Sequence, residues 1–272
     1  MKITILCENY VGLPLGVIGE HGFACYIETR QGNYLFDTGQ GFGIVQNSLI
    51  LKKDLSKIDG IIISHGHYDH TGGLDKVLSI SGKKNIYAHP DIFIKRFWGE
   101  KFIGIPFNQT YLESLGADFK FNKDLVEIEK ELYLTGEIPR LNEFEKGDLN
   151  MYAIDKNKNI IKPDPIQDDL SLLIDSPKGL IIILGCAHAG MINIINYAIK
   201  KLNKDKIYAI IGGTHLGFSS DAQFKETLNV IDEYKIELVG VSHCTGLPKA
   251  SLLHSKLKDK FFFGSIGTTL EI

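Results

Sequence analysis

The chain has 272 residues, is 44% hydrophobic and 23% charged, and carries a formal net charge of -3. That is enough apolar material for a sizeable core and too little basic character for binding through nucleic-acid phosphates. The start MKITILCENY lacks the apolar core and cleavage site of a signal peptide, and no later apolar run reaches the roughly 18 residues of a membrane span, so a soluble cytoplasmic protein is expected.

In chain order, ACYIETRQGNYLFDTG (24–39) predicts a strand, a Gly turn and a second strand ending at Asp37. IDGIIISHGHYDHTGG (58–73) is a β-branched strand that opens into a loop holding His65, His67, Asp69 and His70, where the chain turns helical. NIYAHP is a further short strand with His89 at its end. From about residue 95 to 165 the pattern weakens into aromatics, Gly and Pro, and we expect an insertion or elaborated loops within a single domain spanning 1–272. The run FIKRFWGEKFIGIPF within it is expected to form that insertion's core, with a pocket wall as the alternative. LSLLIDSPKGLIIILGCAH (170–188) is a second hairpin leading to Cys186 and His188, and GMINIINYAIKKLNK has helical spacing. KIYAIIGGTHLG reads as a strand ending at His215. SSDAQFKETLNVIDEYK is a helix with Ser220 as N-cap, and IELVGVSHCTG is a strand ending at His243. The alternation is that of an α/β protein.

Similar segments recur in the same order in the two halves, aligning Asp37 with Cys186, His65 with His215 and His89 with His243. Two similar sheets packed face to face, with helices outside, would bring these strand ends to one rim. In the HGHYDH loop, side chains at i and i+2 point the same way, so His65 and His67 can chelate one cation while Asp69 and His70 face a second. Capping a helix needs one such side chain, not four. Imidazole and carboxylate suit zinc, with manganese or iron as alternatives. Cys7, Cys25, Cys186 and Cys244 show no CxxC spacing and read as reduced thiols, Cys7 and Cys25 in the core. His21 and His254 read as ordinary surface or turn histidines, and Cys244 need not face a cation.

HGHYDH resembles the HxHxDH motif of the metallo-β-lactamase superfamily, and LFDTG resembles the turn whose Asp orients the metal site there. The resemblance covers nearly the whole chain and implies a four-layer αββα fold with two similar halves and two divalent transition metals. HGHYDHTGG, TGEIPR, GCAHAG, GGTHL and SHCTG together resemble a narrower branch, the 7,8-dihydropterin-6-methyl-4-(β-D-ribofuranosyl)aminobenzene-5'-phosphate synthase-like proteins. Where the superfamily supplies a third metal-binding histidine between the hairpins, this chain has TGEIPRLNEFEKGD and no histidine. Cys186, His188 and His215 are the candidates to replace it, and His243 stands where the family's last ligand is expected. Asp37 is expected to hold a ligating histidine through its other ring nitrogen. Arg140 and Glu137 of TGEIPR, and His89, are candidate contacts for a small anionic substrate, with a surface salt bridge as the plain alternative for the first two.

Two adjacent cations would make hydroxide from water at neutral pH and polarise an ester or phosphoryl oxygen. His67 and Asp69 are the expected catalytic residues, Asp69 serving as general base if one metal is bound. The leading expectation is therefore a dinuclear metal-dependent hydrolase of small esters or phosphoesters. The branch resemblance implies instead a transferase joining a pterin diphosphate to a ribofuranosylaminobenzene 5'-phosphate. A non-catalytic metal-binding or sensing protein is the third reading.

Overall fold

The structure is a computed structural model that describes residues 1–154 and 161–272. It comprises two compact units. The first is Met1–Asn122, Leu149–Asp168 and Ser265–Glu271, and the second is Lys123–Asp148 and Asp169–Gly264 with Ile272.

In chain order the first unit contributes β1 (Lys2–Cys7), β2 (Ala24–Glu28), β3 (Asn33–Phe36), α1 (Ile44–Ile50), β4 (Gly60–Ile62), α2 (Tyr68–Thr71), α3 (Leu74–Ser81) and β5 (Lys84–Ala88). It continues with β6 (Arg96–Trp98), β7 (Lys101–Phe102), α4 (Gln109–Ser114) and β8 (Ala117–Phe121). The second unit opens with β9 (Val126–Glu129) and β10 (Leu132–Leu134), and the chain then returns to the first for β11 (Met151–Ile154) and β12 (Ile161–Pro163). The second unit resumes with β13 (Ser171–Ser176), β14 (Gly179–Leu184), α5 (Met191–Leu202), β15 (Ile207–Gly213) and α6 (Asp221–Glu233). It ends with β16 (Leu238–Ser242), α7 (Leu247–Leu257) and β17 (Phe261–Phe263), and β18 (Thr269–Glu271) belongs to the first.

Each unit is built on a seven-stranded sheet, ordered β18-β1-β2-β3-β4-β5-β8 in the first and β9-β10-β13-β14-β15-β16-β17 in the second. The two match strand for strand. In each, the first four strands pair antiparallel and the last three add in parallel. The recurrence visible in the sequence is thus a recurrence of topology. β4 and β15 are equivalent and are followed by His65 and His215; β5 and β16 are equivalent and are followed by His89 and His243.

Strand composition explains the arrangement. The LIIIL of β14 and the IYAII of β15 do not alternate, because central strands with helices after them are buried on both faces. Leu35, Ile61, Val77 and Ile86 lie in the first unit's core, and Leu173, Ile182, Ile194 and Ile210 in the second's. Each such side chain contributes about 1.5–3 kcal/mol by leaving water. The two expected helices form as α5 and α6, and Ser220 caps α6 by accepting the Gln223 N–H at 3.2 Å.

The stretch from 95 to 165 is divided. It supplies β8 to one main sheet and β9 and β10 to the other, while β6, β7, β11 and β12 form a separate four-stranded sheet in the first unit. Its residues 155–160 lie outside the described residues. The aromatic run is likewise split: Phe93 and Phe107 pack against the first core, whereas Trp98 and Phe102 are exposed on the short β6–β7 hairpin.

Candidate metal centre

In the first unit, the HGH loop leaves β4 in extended conformation, and His67 (φ -85°, ψ 149°) is the last extended residue before α2. Asp69 and His70 lie in that helix, and all four side chains are buried. The ring centroids of His65 and His67 are 4.5 Å apart and those of His65 and His70 4.2 Å. Gly66 between them has no room for a side chain, since a Cβ would lie 2.1 Å from the Ile92 carbonyl oxygen.

Asp37 organises these rings. It follows β3 with a φ of 58°, a left-handed conformation that non-glycine residues adopt at a cost. Its carboxylate accepts from His70 Nδ1 at 2.7 Å, from the Ser64 hydroxyl at 2.7 Å and from the Ser64 N–H at 2.7 Å. The Ser64 hydroxyl in turn lies 2.8 Å from His65 Nδ1. With Nδ1 of both imidazoles acting as donor, Nε2 of each carries the ring's lone pair, and His65 Nε2 lies 2.9 Å from His67 Nδ1.

A buried ion-pair network supports the loop. Asp168 accepts the Gly66 N–H at 2.8 Å and a bond from Arg96 Nη2 at 2.7 Å, while Arg96 Nε binds Asp164 at 2.7 Å. Burial works against the Arg96 charge, but the two carboxylates outweigh it and raise its pKa.

In the second unit, three adjacent parallel strands end in residues held left-handed: Ala187 after β14 (φ 55°), His215 after β15 (φ 54°) and His243 after β16 (φ 51°). The donor atoms of Cys186, His188 and His215 all lie within 4.8 Å of one another, and those of Cys186, His243 and Cys244 do the same. The His188 and His215 rings are 4.4 Å apart. Both ring nitrogens of His215 are buried and have no hydrogen-bond partner among the described residues. Unsatisfied buried imidazole nitrogens beside a thiol fit a borderline divalent cation better than they fit a packed core. A cavity of about 10 Å³, lined in part by His188, His215, Phe218 and Gln223, lies beside them. For Cys244, burial pushes the thiol up, but contact with Cys186 and with the imidazoles of His215 and His243 outweighs it and holds the group well below the usual thiol range.

The segment without a histidine has a different task. Glu145 accepts the Ile192 N–H at 2.8 Å and the Asn193 N–H at 3.0 Å, closing the N-terminus of α5. Arg140 is exposed and donates to the His188 carbonyl, and Glu137 pairs with Lys123 at 3.0 Å. His89 is buried, its Nδ1 accepting the Asp91 N–H at 3.1 Å. His254 packs beside Phe261 and Phe263. His21 is exposed at a bend, as a surface or turn histidine, and its Nε2 also lies 3.2 Å from Asp69 Oδ2. Cys244, Ser64 and the Arg96–Asp168 pair also escape sequence reading. Only the HC dipeptide beside a strand end hinted at Cys244.

Comparison with known proteins follows the geometry. The family model of the metallo-beta-lactamase superfamily matches residues 18–201. A 7,8-dihydropterin-6-methyl-4-(beta-D-ribofuranosyl)-aminobenzene-5'-phosphate synthase of Methanocaldococcus jannaschii is 30% identical over 96% of this chain and 93% of its own. An uncharacterized protein of the same organism is 33% identical over 99% and 100% of the two chains. A solved metal-dependent hydrolase of the beta-lactamase superfamily superposes with a TM-score of 0.87 at 26% identity, covering 100% of this chain and 99% of that one. Among the described residues, no helix is long and apolar enough to cross a membrane.

Proposed function

Since this chain belongs to the metallo-β-lactamase superfamily, we propose that it is a metal-dependent hydrolase with a dinuclear site, acting on a small anionic ester or phosphoester. The observation that carries the reading is His215, with two buried nitrogens lacking hydrogen-bond partners among the described residues, beside Cys186 and His188. The ligands we assign are His65, His67, Asp69 and His70 in the first unit and Cys186, His188, His215 and His243 in the second. When bound, two divalent cations, zinc first and manganese or iron next, supply an activated water and polarise the substrate oxygen.

The chain's own residues prepare that chemistry. Asp37 and Ser64 hold the His70 and His65 rings through Nδ1, which leaves Nε2 of each for a cation, and binding would replace the 2.9 Å contact between His65 Nε2 and His67 Nδ1. With a single cation held, Asp69 would be the general base toward water, and His21 Nε2 at 3.2 Å would orient its carboxylate. Arg140, Glu137 and His89 are assigned as substrate contacts, with the Arg140 guanidinium at the anionic end; Arg140 and Glu137 also have protein partners.

The relative from Methanocaldococcus jannaschii favours a second reading, in which the same residues serve a transferase that joins a pterin diphosphate to a ribofuranosylaminobenzene 5'-phosphate and releases diphosphate. The two are tested together. Purified protein is assayed for metal, stripped by chelation and reloaded, then offered ester and phosphodiester probes, and separately a pterin diphosphate with a ribofuranosylaminobenzene 5'-phosphate. Hydrolysis that disappears on stripping and returns on reloading supports the hydrolase. Diphosphate release that requires the second substrate supports the synthase. Metal content near zero after growth in zinc- and manganese-supplemented medium overturns both.

A further inference from the structure

We propose that Cys244 is a second thiolate ligand, forming with Cys186 and His243 a sulfur-rich cation site at the strand ends of the second unit. This rests on the reading that a metal is bound there and adds what kind of metal the site takes.

The placement of Cys244 is built, not incidental. Its sulfur and the donor atoms of Cys186 and His243 lie within 4.8 Å of one another. Ligands of one tetrahedral zinc are about 3.8 Å apart, given Zn–S bonds of about 2.3 Å, so closing the set needs a contraction of at most about 1 Å. The backbone makes room for the sulfur: a Cβ at Gly213 would lie 2.8 Å from Cys244 Sγ. A main-chain donor addresses it as well, since the His215 N–H points at Cys244 Sγ at 3.3 Å. An N–H directed at sulfur stabilises charge on a thiolate, which a coordinating cation then neutralises. The thiol contacts the Cys186 carbonyl oxygen at 3.4 Å. Metal binding replaces that contact and releases the thiol protons to solvent.

Two thiolates and an imidazole form a soft set. Zinc, cobalt and copper(I) are favoured over manganese and magnesium, whose preferred ligands are oxygens. Carboxylate-rich sites in the same cell would therefore not compete for the same ion.

The test uses full-length protein loaded with cobalt(II), whose thiolate bonds absorb in the near ultraviolet. Wild type is expected to show a charge-transfer band that falls by about half in Cys244→Ser and by about half in Cys186→Ser, with manganese unable to displace the ion. A band of unchanged intensity in Cys244→Ser overturns the proposal, as does displacement by equimolar manganese. If the serine variants fold poorly, X-ray absorption of the zinc-loaded wild type decides by counting sulfur neighbours: two support the proposal, and one or none overturn it. Failure here is separable from failure of the hydrolase reading. A two-sulfur site in a protein without metal-dependent turnover leaves this inference standing and removes the reaction. Turnover with one or no sulfur does the reverse. In His67→Ala the band is expected to persist, because the sulfur ligands belong to the other unit.

Discussion

Asp168 Oδ2 accepts the backbone N–H of Gly66 at 2.8 Å, joining residues 102 positions apart in the chain. The bond fixes the midpoint of the HGH loop, and Arg96 fixes Asp168. Asp168→Ala leaves the Arg96 guanidinium buried with Asp164 as its remaining carboxylate. It is expected to cost about 3 kcal/mol, the lower end for breaking a buried pair. Asp168→Asn keeps one acceptor and should cost less, yet still weaken metal binding about 10- to 100-fold, as loss of an outer support does. Urea denaturation and titration against a competing chelator measure the two effects. Wild-type metal affinity in Asp168→Asn would remove this residue from the loop's support.

His67→Ala and Asp69→Asn should each lower kcat/KM by at least about 10²-fold, the minimum for losing a proton-transfer or metal-bearing group. His67 sits in the loop after β4 and Asp69 in the single-turn helix that follows it, both outside the apolar core, so the fold should persist. The expected drop in Tm is no more than about 4 °C, corresponding to about 1 kcal/mol in a chain of this size. Steady-state kinetics with circular dichroism checks the pair, and near-normal turnover in either variant counts against the assignment.

The site's ingredients were legible because strand ends are the one place where His, Cys and Asp cluster without a core to explain them. The paired hairpins were legible too, since alternation and Gly turns are local signals. β9 and β10 were not, because β9 pairs only with β10 and β10 is anchored to the sheet by β13, which comes after residue 168, and a short strand reads as a strand only beside its neighbour. His21 and Cys244 were missed for a related reason. Their meaning lies in what they touch, Asp69 in one case and Cys186 in the other, and neither contact has a periodicity. Arg96 sits in the aromatic run and Asp168 beyond the weak stretch, 72 positions apart, so nothing local announces the pair, which is almost fully buried.

Tyr26 supplies a pH dependence. Burial, followed by the charges of Glu28, Asp54 and Asp59, pushes its hydroxyl up to about 12, and the group donates to the Asp54 carbonyl at 3.1 Å. In the unfolded chain a tyrosine titrates near 10. The native state therefore keeps a proton that the unfolded state gives up. Its contribution to stability is full below about pH 10 and is lost as the pH rises toward 12. In Tyr26→Phe the alkaline decline of the urea midpoint should be shallower, and an identical slope would mean that other groups control it.

Ala187 pays for a left-handed backbone at φ 55°. Replacing it by Gly removes a cost of about 1–2 kcal/mol and adds an entropy penalty of about 0.5–1 kcal/mol, so Ala187→Gly should be neutral or slightly stabilising. Ala198→Gly, in the interior of α5, is the control and should lose about 1 kcal/mol or more. Equal losses in the two variants, measured by chemical denaturation, would show that the strand end is relaxed.

The four cysteines are divided evenly, Cys7 and Cys25 on β1 and β2 of the first unit, Cys186 and Cys244 at strand ends of the second. Burial pushes the Cys7 and Cys25 thiols up, with Glu20 and Asp37 adding to the effect, whereas Cys244 is only half-buried. A brief alkylation pulse on metal-free protein therefore marks Cys244 first. As denaturant rises, tags on Cys7 and Cys25 record the opening of one sheet and a tag on Cys186 the opening of the other. Mass spectrometry of tagged peptides then gives the order in which the two units come apart, read from the native sequence without an added probe.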